Sequence, residues 1–376
     1  MATLYLPDVR QAISQLATGT HADGDQVASY LQDWFASLKR MSPGKWNEVR
    51  TFYLTAAMCY PVGDKERLST ISEWIVILFA WDDLFDVPED NLMDDTRGAK
   101  EINNVVLSIF DTPETSETQA ELTVVAAFRA FWARFRTTST PTMQKRFIDA
   151  VRRYARGTEK LVHNREQWRV PSMEEFVAMR RATSAVEPAL AGVEYTLEIE
   201  VPHEAFYHAA VQELRDTIND IASWTNDMYS FNKEQAAGDY QNLVAVVAVE
   251  KKLDVQSAIQ FVFVMIQSAI DHYFEARKRV PKFDPKTDDL VSRYIRGIEC
   301  FCSGSILWHF EVDRYFGSKF GEAEDRLAVK MLPREKNAPE PGFQLEYKTP
   351  STVIASVGDG MSVSKNISGI KSRALL

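Results

Sequence analysis

The chain has 376 residues, 45% of them apolar, and a formal net charge of −10. That balance argues against a nucleic-acid or anionic-membrane partner, and the longest apolar runs fall far short of a membrane span. Three cysteines, Cys59, Cys300 and Cys302, are an odd number without disulfide spacing, and no basic stretch followed by a long apolar run opens the chain, so a reducing, cytoplasmic setting is expected.

Helical period runs through almost every segment. Helices are predicted over roughly 25–39, 45–58, 65–87, 94–110, 116–136, 142–168, 172–186, 203–233, 255–280, 287–302 and 305–316. Pro61, Pro88, Pro141, Pro171, Pro202 and Pro281 punctuate them. Ser172-x-x-Glu175 has the form of a capping box and marks one helix start. The apolar run 243–249, LVAVVAV, sits between helical stretches and reads as a buried helix. No linker divides residues 1–330, which read as one all-α domain. Residues 331–376 are rich in Pro, Ser and Gly and poor in periodic apolar positions, so that segment is expected to be a disordered tail.

The stretch Trp74 to Asp86, WIVILFAWDDLFD, places an apolar run directly before three carboxylates. Asp82 and Asp86 stand one turn apart on one face, with Asp83 about 100° round. Acids gathered at a helix C-terminus oppose the macrodipole and call for a cation. Closely spaced hard oxygens suit Mg²⁺, which leaves sites for substrate phosphate. The alternative is a solvated acidic helix end.

A second set stands four residues apart at Asn226, Ser230 and Glu234, so an amide, a hydroxyl and a carboxylate share a face. Alone, the trio could be the polar stripe of an amphipathic helix. Paired with the acidic helix, it makes a second half-site for Mg²⁺ the better reading.

Together, Asp82-Asp83-x-x-Asp86 and Asn226-x-x-x-Ser230-x-x-x-Glu234 resemble the two metal motifs of microbial class I terpene cyclases, in the same order and at a similar separation. Arg180, 46 residues before Asn226, matches that family's diphosphate-sensing arginine, and Arg314-Tyr315 matches its Arg-Tyr pair. The resemblance implies a single class I terpenoid synthase-like helical bundle around a cavity, three Mg²⁺ ions and an isoprenyl diphosphate substrate. It further implies diphosphate contacts from Arg180, Lys233, Arg314 and Tyr315, with Thr183 and Ser184 in the linker and effector places. Thr183 departs from the acidic residue of some members, which puts a hydrogen-bonded relay in doubt.

A chain-elongating prenyl diphosphate synthase would carry a second Asp-rich motif where Asn226, Ser230 and Glu234 stand. The expected activity is therefore cyclisation of farnesyl diphosphate to a sesquiterpene. A diterpene synthase using geranylgeranyl diphosphate, or a non-catalytic helical binding protein, are the alternatives. Helical spacing places Phe79 one turn before Asp82 and Trp308 two turns before Tyr315, so both are expected in the cavity wall. A monomer or homodimer is expected.

Overall fold

Periodic apolar segments become helices wherever the computed structural model describes the chain, which is at residues 3–37, 52–86, 92–111, 123–316, 327–335, 338 and 345–347, excepting the side chains of Phe35, Ala36, Ser37, Asp86 and Thr123. In chain order the elements are β1 (Thr3–Tyr5), α1 (Val9–Ala12), α2 (Gly24–Ser37), α3 (52–59) and α4 (Lys65–Asp86). Then come α5 (Thr96–Ser108), α6 (Thr123–Thr138), α7 (Pro141–Glu166), α8 (Met173–Thr183) and α9 (Val186–Leu197). The remainder is α10 (His203–Phe206), α11 (Ala209–Ala237), α12 (Leu243–Lys251), α13 (Val255–Arg277), α14 (Pro285–Trp308), α15 (Asp313–Phe316) and β2 (Ala328–Lys330). The expected helical spans 38–39, 45–51 and 116–122 lie outside the described residues, as does Pro88.

Two helices organise the bundle. The acid-bearing α4 packs on α2, α6 and α9, and α11 packs on α8, α12, α13 and α14. Trp74, Trp81 and Phe85 of α4 are fully buried, so truncating any one would cost about 3–5 kcal/mol. Trp74 meets Phe128, Phe131 and Phe147, about 12 Å deeper along the helix than Asp82. This anchor fixes where the acidic end of α4 emerges.

Local signals explain the boundaries. The Ser172–Glu175 capping box forms in full at the start of α8. Thr140 and Asp284 cap α7 and α14, each with proline in the first turn. The apolar run after Asn242 is helical, as α12.

Several boundaries differ from expectation. The span 203–233 is two helices, α10 and α11, parted at Tyr207 and His208, and α11 runs on to Ala237. The span 172–186 stops at Thr183 because Ala185 adopts a left-handed φ of 60°, and α9 then begins afresh. Helix α9 is buried on nearly every side, so it carries no two-faced pattern to read. The expected break between 302 and 305 is absent because α14 continues through Gly304, while the span 305–316 is instead interrupted after Trp308 and resumes as α15. A Cβ at Gly304 would lie 2.3 Å from the Met58 carbonyl oxygen, so this glycine serves close packing of α3. The antiparallel β1–β2 pair was not expected, since three residues per strand are too few to show alternation.

The start of the segment expected to be loose is held to α11. Asn232 Nδ2 donates to the Lys330 carbonyl (2.9 Å) while Asn232 Oδ1 accepts from Leu332 N–H (2.9 Å). Gln235 Nε2 donates to the Leu332 carbonyl (3.0 Å), and Glu335 N–H to that of Ala236 (2.9 Å). Farther on, Val255 N–H donates to the Glu346 carbonyl (2.9 Å). Residues 348–376 lie outside the described residues.

Asn232 and Gln235 alternate along α11 with Ser230 and Glu234, so this strap grips the second predicted half-site from behind. A chain ending at residue 348 is expected to melt like the full protein. One ending at residue 327 loses β2 and the strap, several net hydrogen bonds of about 1 kcal/mol each. Its melting temperature is expected to fall by about 5 °C or more by circular dichroism.

Candidate active site

The α4 carboxylates are held by residues from distant parts of the chain. Tyr154 of α7, itself fully buried, donates its hydroxyl to Asp82 Oδ1 at 2.6 Å. Asp83 Oδ1 accepts from Arg314 Nη2 of α15 at 2.9 Å, both side chains being about one-fifth exposed. The side chain of Asp86 lies outside the described residues.

The α11 set is arranged around Asp227. Arg180 of α8 pairs with Asp227 Oδ1 at 2.8 Å and donates from Nη2 to Asn226 Oδ1 at 3.1 Å. Burial alone would lower the pKa of the guanidinium, but Asp227, Glu234 and Asp82 more than offset it and the pKa is raised. Arg180 therefore lies in the field of both half-sites. Asp227 Oδ2 also accepts from Leu243 N–H at 3.2 Å, at the head of α12.

Glu234 Oε2 accepts from Asn242 Nδ2 at 2.8 Å. Burial pushes this carboxyl up to about 7, Asp239 and Asp227 adding to the rise against the Ser230 and Asn242 side chains. The buried Ser230 hydroxyl has no partner at full hydrogen-bond geometry.

One buried arginine ties the two helices together behind the acids. Arg165 Nη1 of α7 donates to the Phe85 carbonyl, in the last turn of α4, at 2.9 Å. The same guanidinium makes a two-pronged pair with Asp239, its Nε donating to Oδ1 at 3.0 Å. Asp239 N–H in turn donates to the Glu234 carbonyl at 2.9 Å. A cation at the end of α4 also counters the negative pole of that helix.

Aromatic rings flank the polar end. Phe79 stacks on Phe52 with centroids 4.1 Å apart and lies 5.4 Å from Trp308. The Arg314 guanidinium sits 5.5 Å above the Phe79 ring. Phe79 is half-buried, while Trp308 is buried and also meets Tyr315. Tyr315 Oη accepts from Asn226 Nδ2 at 3.2 Å, and burial pushes its phenol up to about 12.

Asn226, Arg180 and Tyr315 are joined by hydrogen bonds, Asp83 pairs with Arg314, and Asp82 and Glu234 both act on the charge of Arg180. Lys233 is exposed on α11. Thr183 is buried with its hydroxyl unpartnered, and Ser184 donates to Asn219 Oδ1 at 2.8 Å beside the left-handed Ala185. The sequence reading missed Asp227, Tyr154, Arg165, Asp239 and His309. Asp227 could have been found, since it sits seven residues before Glu234 on the same helix face. The other four come from elements whose approach no local spacing encodes.

The family described as "Terpene synthase family 2, C-terminal metal binding" matches residues 73–272, which include both half-sites. Sesquiterpene synthase Agr1 of Cyclocybe aegerita is 30% identical over 283 residues, covering 75% of this chain and 80% of the relative. Delta(6)-protoilludene synthase 18 of Postia placenta is 29% identical over 336 residues, covering 89% and 94%. The crystal structure of germacradien-4-ol synthase from Streptomyces citricolor superposes with a TM-score of 0.68 at 22% identity, covering 78% of this chain and 95% of that one. That likeness is one of fold.

The matching family implies a divalent cation, and the donors present fit one. Ser230 offers a buried oxygen whose lone pairs no donor takes. Glu234 carries a charge that burial and neighbouring acids disfavour. Among the described residues, no three His, Cys, Asp or Glu side chains converge on one point. The set instead mixes amide, hydroxyl and carboxylate from two helices, which suits an ion that keeps open positions for phosphate oxygens.

A raised carboxyl makes its own prediction. Glu234 is neutral in both folded and unfolded chains at low pH; as pH rises, the unfolded chain ionises first and metal-free stability falls until about pH 7. Glu234→Gln keeps an acceptor for Asn242 without the charge. The metal-free variant is expected to melt a few degrees above the parent at pH 7.5 and at the same temperature near pH 4. An equal gap at both pH values would overturn the assignment.

Proposed function

The chain belongs to the terpene synthase family whose description matches residues 73–272, and from that premise we propose that it is a Mg²⁺-dependent sesquiterpene synthase taking farnesyl diphosphate. Relatives named as sesquiterpene synthases, among them Agr1, support this C15 reading. The observation that carries it is the meeting of Asp82, Glu234 and Asn226 around Arg180.

In the reaction, the allylic C–O bond breaks heterolytically and its electron pair leaves with diphosphate. The carbocation then closes into rings and ends by losing a proton or capturing water. The Mg²⁺ ions, three in our reading, supply Lewis acidity to the departing diphosphate. They would be held by Asp82 on one side and by Asn226, Ser230 and Glu234 on the other, with Asp83 and Asp86 adjoining.

This chain's own residues do the rest. Arg180, fixed by Asp227, offers positive charge that needs no reorganisation as the leaving group forms. Arg314 presents a planar fork suited to phosphate oxygens, and it must loosen its pair with Asp83 to use both prongs. Tyr315 accepts from Asn226, so its own proton remains available to a diphosphate oxygen. Lys233 extends this cationic set from the exposed side of α11. Thr183 and Ser184 stand at the α8–α9 break, where a backbone carbonyl can face the reacting carbons.

Incubation with the C10, C15 and C20 diphosphates and Mg²⁺, followed by gas chromatography–mass spectrometry, tests the reading. C15 products are expected from farnesyl diphosphate. A preference for the C20 substrate would make the protein a diterpene synthase, and no turnover of any of the three would sink the proposal. Asp82→Asn and Asn226→Leu are each expected to lower turnover at least about 100-fold with unchanged far-ultraviolet circular dichroism.

Product control rests on Phe79, the more exposed of the two expected cavity aromatics. Phe79→Leu removes a π face that can hold a cation and is expected to divert product toward acyclic hydrocarbons and alcohols. Trp308→Leu acts by unseating Phe79 and should shift products the same way, less strongly. An unchanged product mixture from both variants would remove these residues from the cavity wall.

A further inference from the structure

His309 follows directly on α14 and is 3% exposed. Its main-chain N–H turns to the Ile306 carbonyl at 3.3 Å, which leaves the Ser305 carbonyl without its usual helical partner. The imidazole takes that place, with Nδ1 2.8 Å from the Ser305 oxygen. On the other edge of the ring, Nε2 lies 3.3 Å from Asn226 Nδ2. The ring also packs on Tyr315, with centroids 4.3 Å apart.

These contacts settle which nitrogen carries the proton. A carbonyl oxygen can only accept, so Nδ1 must donate. Arg180 offers only donors, so the Asn226 atom facing it is Oδ1 and the atom turned to the ring is the amide nitrogen. Nε2 is then an acceptor, and it takes a hydrogen from the Asn226 amide. The second amide hydrogen goes to Tyr315 Oη at 3.2 Å. Asn226 Oδ1 accepts from Arg180, which has only donors to offer.

We infer that His309 is a positioning residue that locks the Asn226 carboxamide with its oxygen toward the metal site. Turning the amide over would set its oxygen against the Nε2 lone pair and its NH₂ against the Arg180 guanidinium, two repulsive contacts. With both amide hydrogens and one lone pair committed, the second lone pair of Oδ1 is what remains for a cation. Tyr315 alone would not enforce this, because a hydroxyl can donate or accept by rotating. The inference rests on the reading of Asn226 as a metal ligand.

Two measurements test it. In the unmodified metal-free protein, long-range ¹H–¹⁵N correlation spectroscopy at pH 7 is expected to show His309 as the Nδ1–H tautomer; an Nε2–H tautomer overturns the inference without any variant. The second is calorimetric titration of Mg²⁺ in the presence of inorganic diphosphate, with no substrate. His309→Phe is expected to weaken Mg²⁺ binding at least about 10-fold, while its metal-free melting temperature stays within a few degrees of the parent. His309→Gln can place an acceptor where Nε2 stood and is expected to recover most of that loss.

Parent-like Mg²⁺ binding by His309→Phe, or no recovery with His309→Gln, overturns the inference. Asn226→Leu separates this failure from that of the underlying reading. If Asn226→Leu loses Mg²⁺ binding while His309→Phe keeps it, only the role of His309 falls. If Asn226→Leu binds as the parent does, the metal assignment itself is wrong.

Discussion

Negative charge gathered at the ends of two apolar helices is the constraint on which the rest depends. Asp82 and Asp83 close α4, where the helix dipole is already negative, and Asp227, Glu234 and Asp239 crowd the last turns of α11 and the loop after it. An apolar bundle cannot hold such charge unpaired. The chain answers with arginines from elsewhere, Arg180 on Asp227, Arg165 on Asp239 and Arg314 on Asp83. Glu234 has only amide and hydroxyl neighbours of its own and is accordingly pushed up to about 7. In the proposed reading this is the charge that a bound cation would relieve.

The arginines also decide the shape of the site. Each reaches its acid from another element, α7, α8 or α15, so ion pairing and helix packing specify the same arrangement. Removing one partner of a buried pair leaves a bare charge, at a cost of about 3–5 kcal/mol. Arg165 serves both helices, meeting the Phe85 carbonyl and Asp239 at once. Arg314 differs, since its pair with Asp83 is partly exposed and worth little in solution. It is the one arginine of the three that can change partners cheaply, as the proposed contact with diphosphate requires.

Helices with one apolar face were legible in the sequence, and so was the sharing of a face by Asn226, Ser230 and Glu234, because a four-residue spacing on a helix is a statement about geometry. What escaped was of two kinds. Helix α9 is wrapped on all sides, so its sequence lacks the contrast that reveals a helix. Residues acting on a ligand from another element have no spacing to betray them. Tyr154 lies 72 residues from Asp82, and His309 lies 83 from Asn226. Their types were unremarkable in place, a tyrosine within α7 and a histidine just past the end of α14. Gly304 misled in the other direction, marking close packing where a helix end was expected.

Product skeleton is the property hardest to read from either source, and the arrangement of the site shows why. The ionising groups are fixed by charge pairs whose geometry tolerates little variation. The rings proposed to face the cation, Phe79 with Phe52 and Trp308 behind it, are held by stacking and shape. Aromatic contacts are individually worth about 0.5–1.5 kcal/mol beyond their burial, so substitution there repacks the wall without unfolding the bundle. The related enzymes named for different products keep the same fold-forming length of chain. In the proposed reading, ionisation is locked by electrostatics at the polar end of the site, while the fate of the cation is left to a softer surface that sequence change can reshape freely.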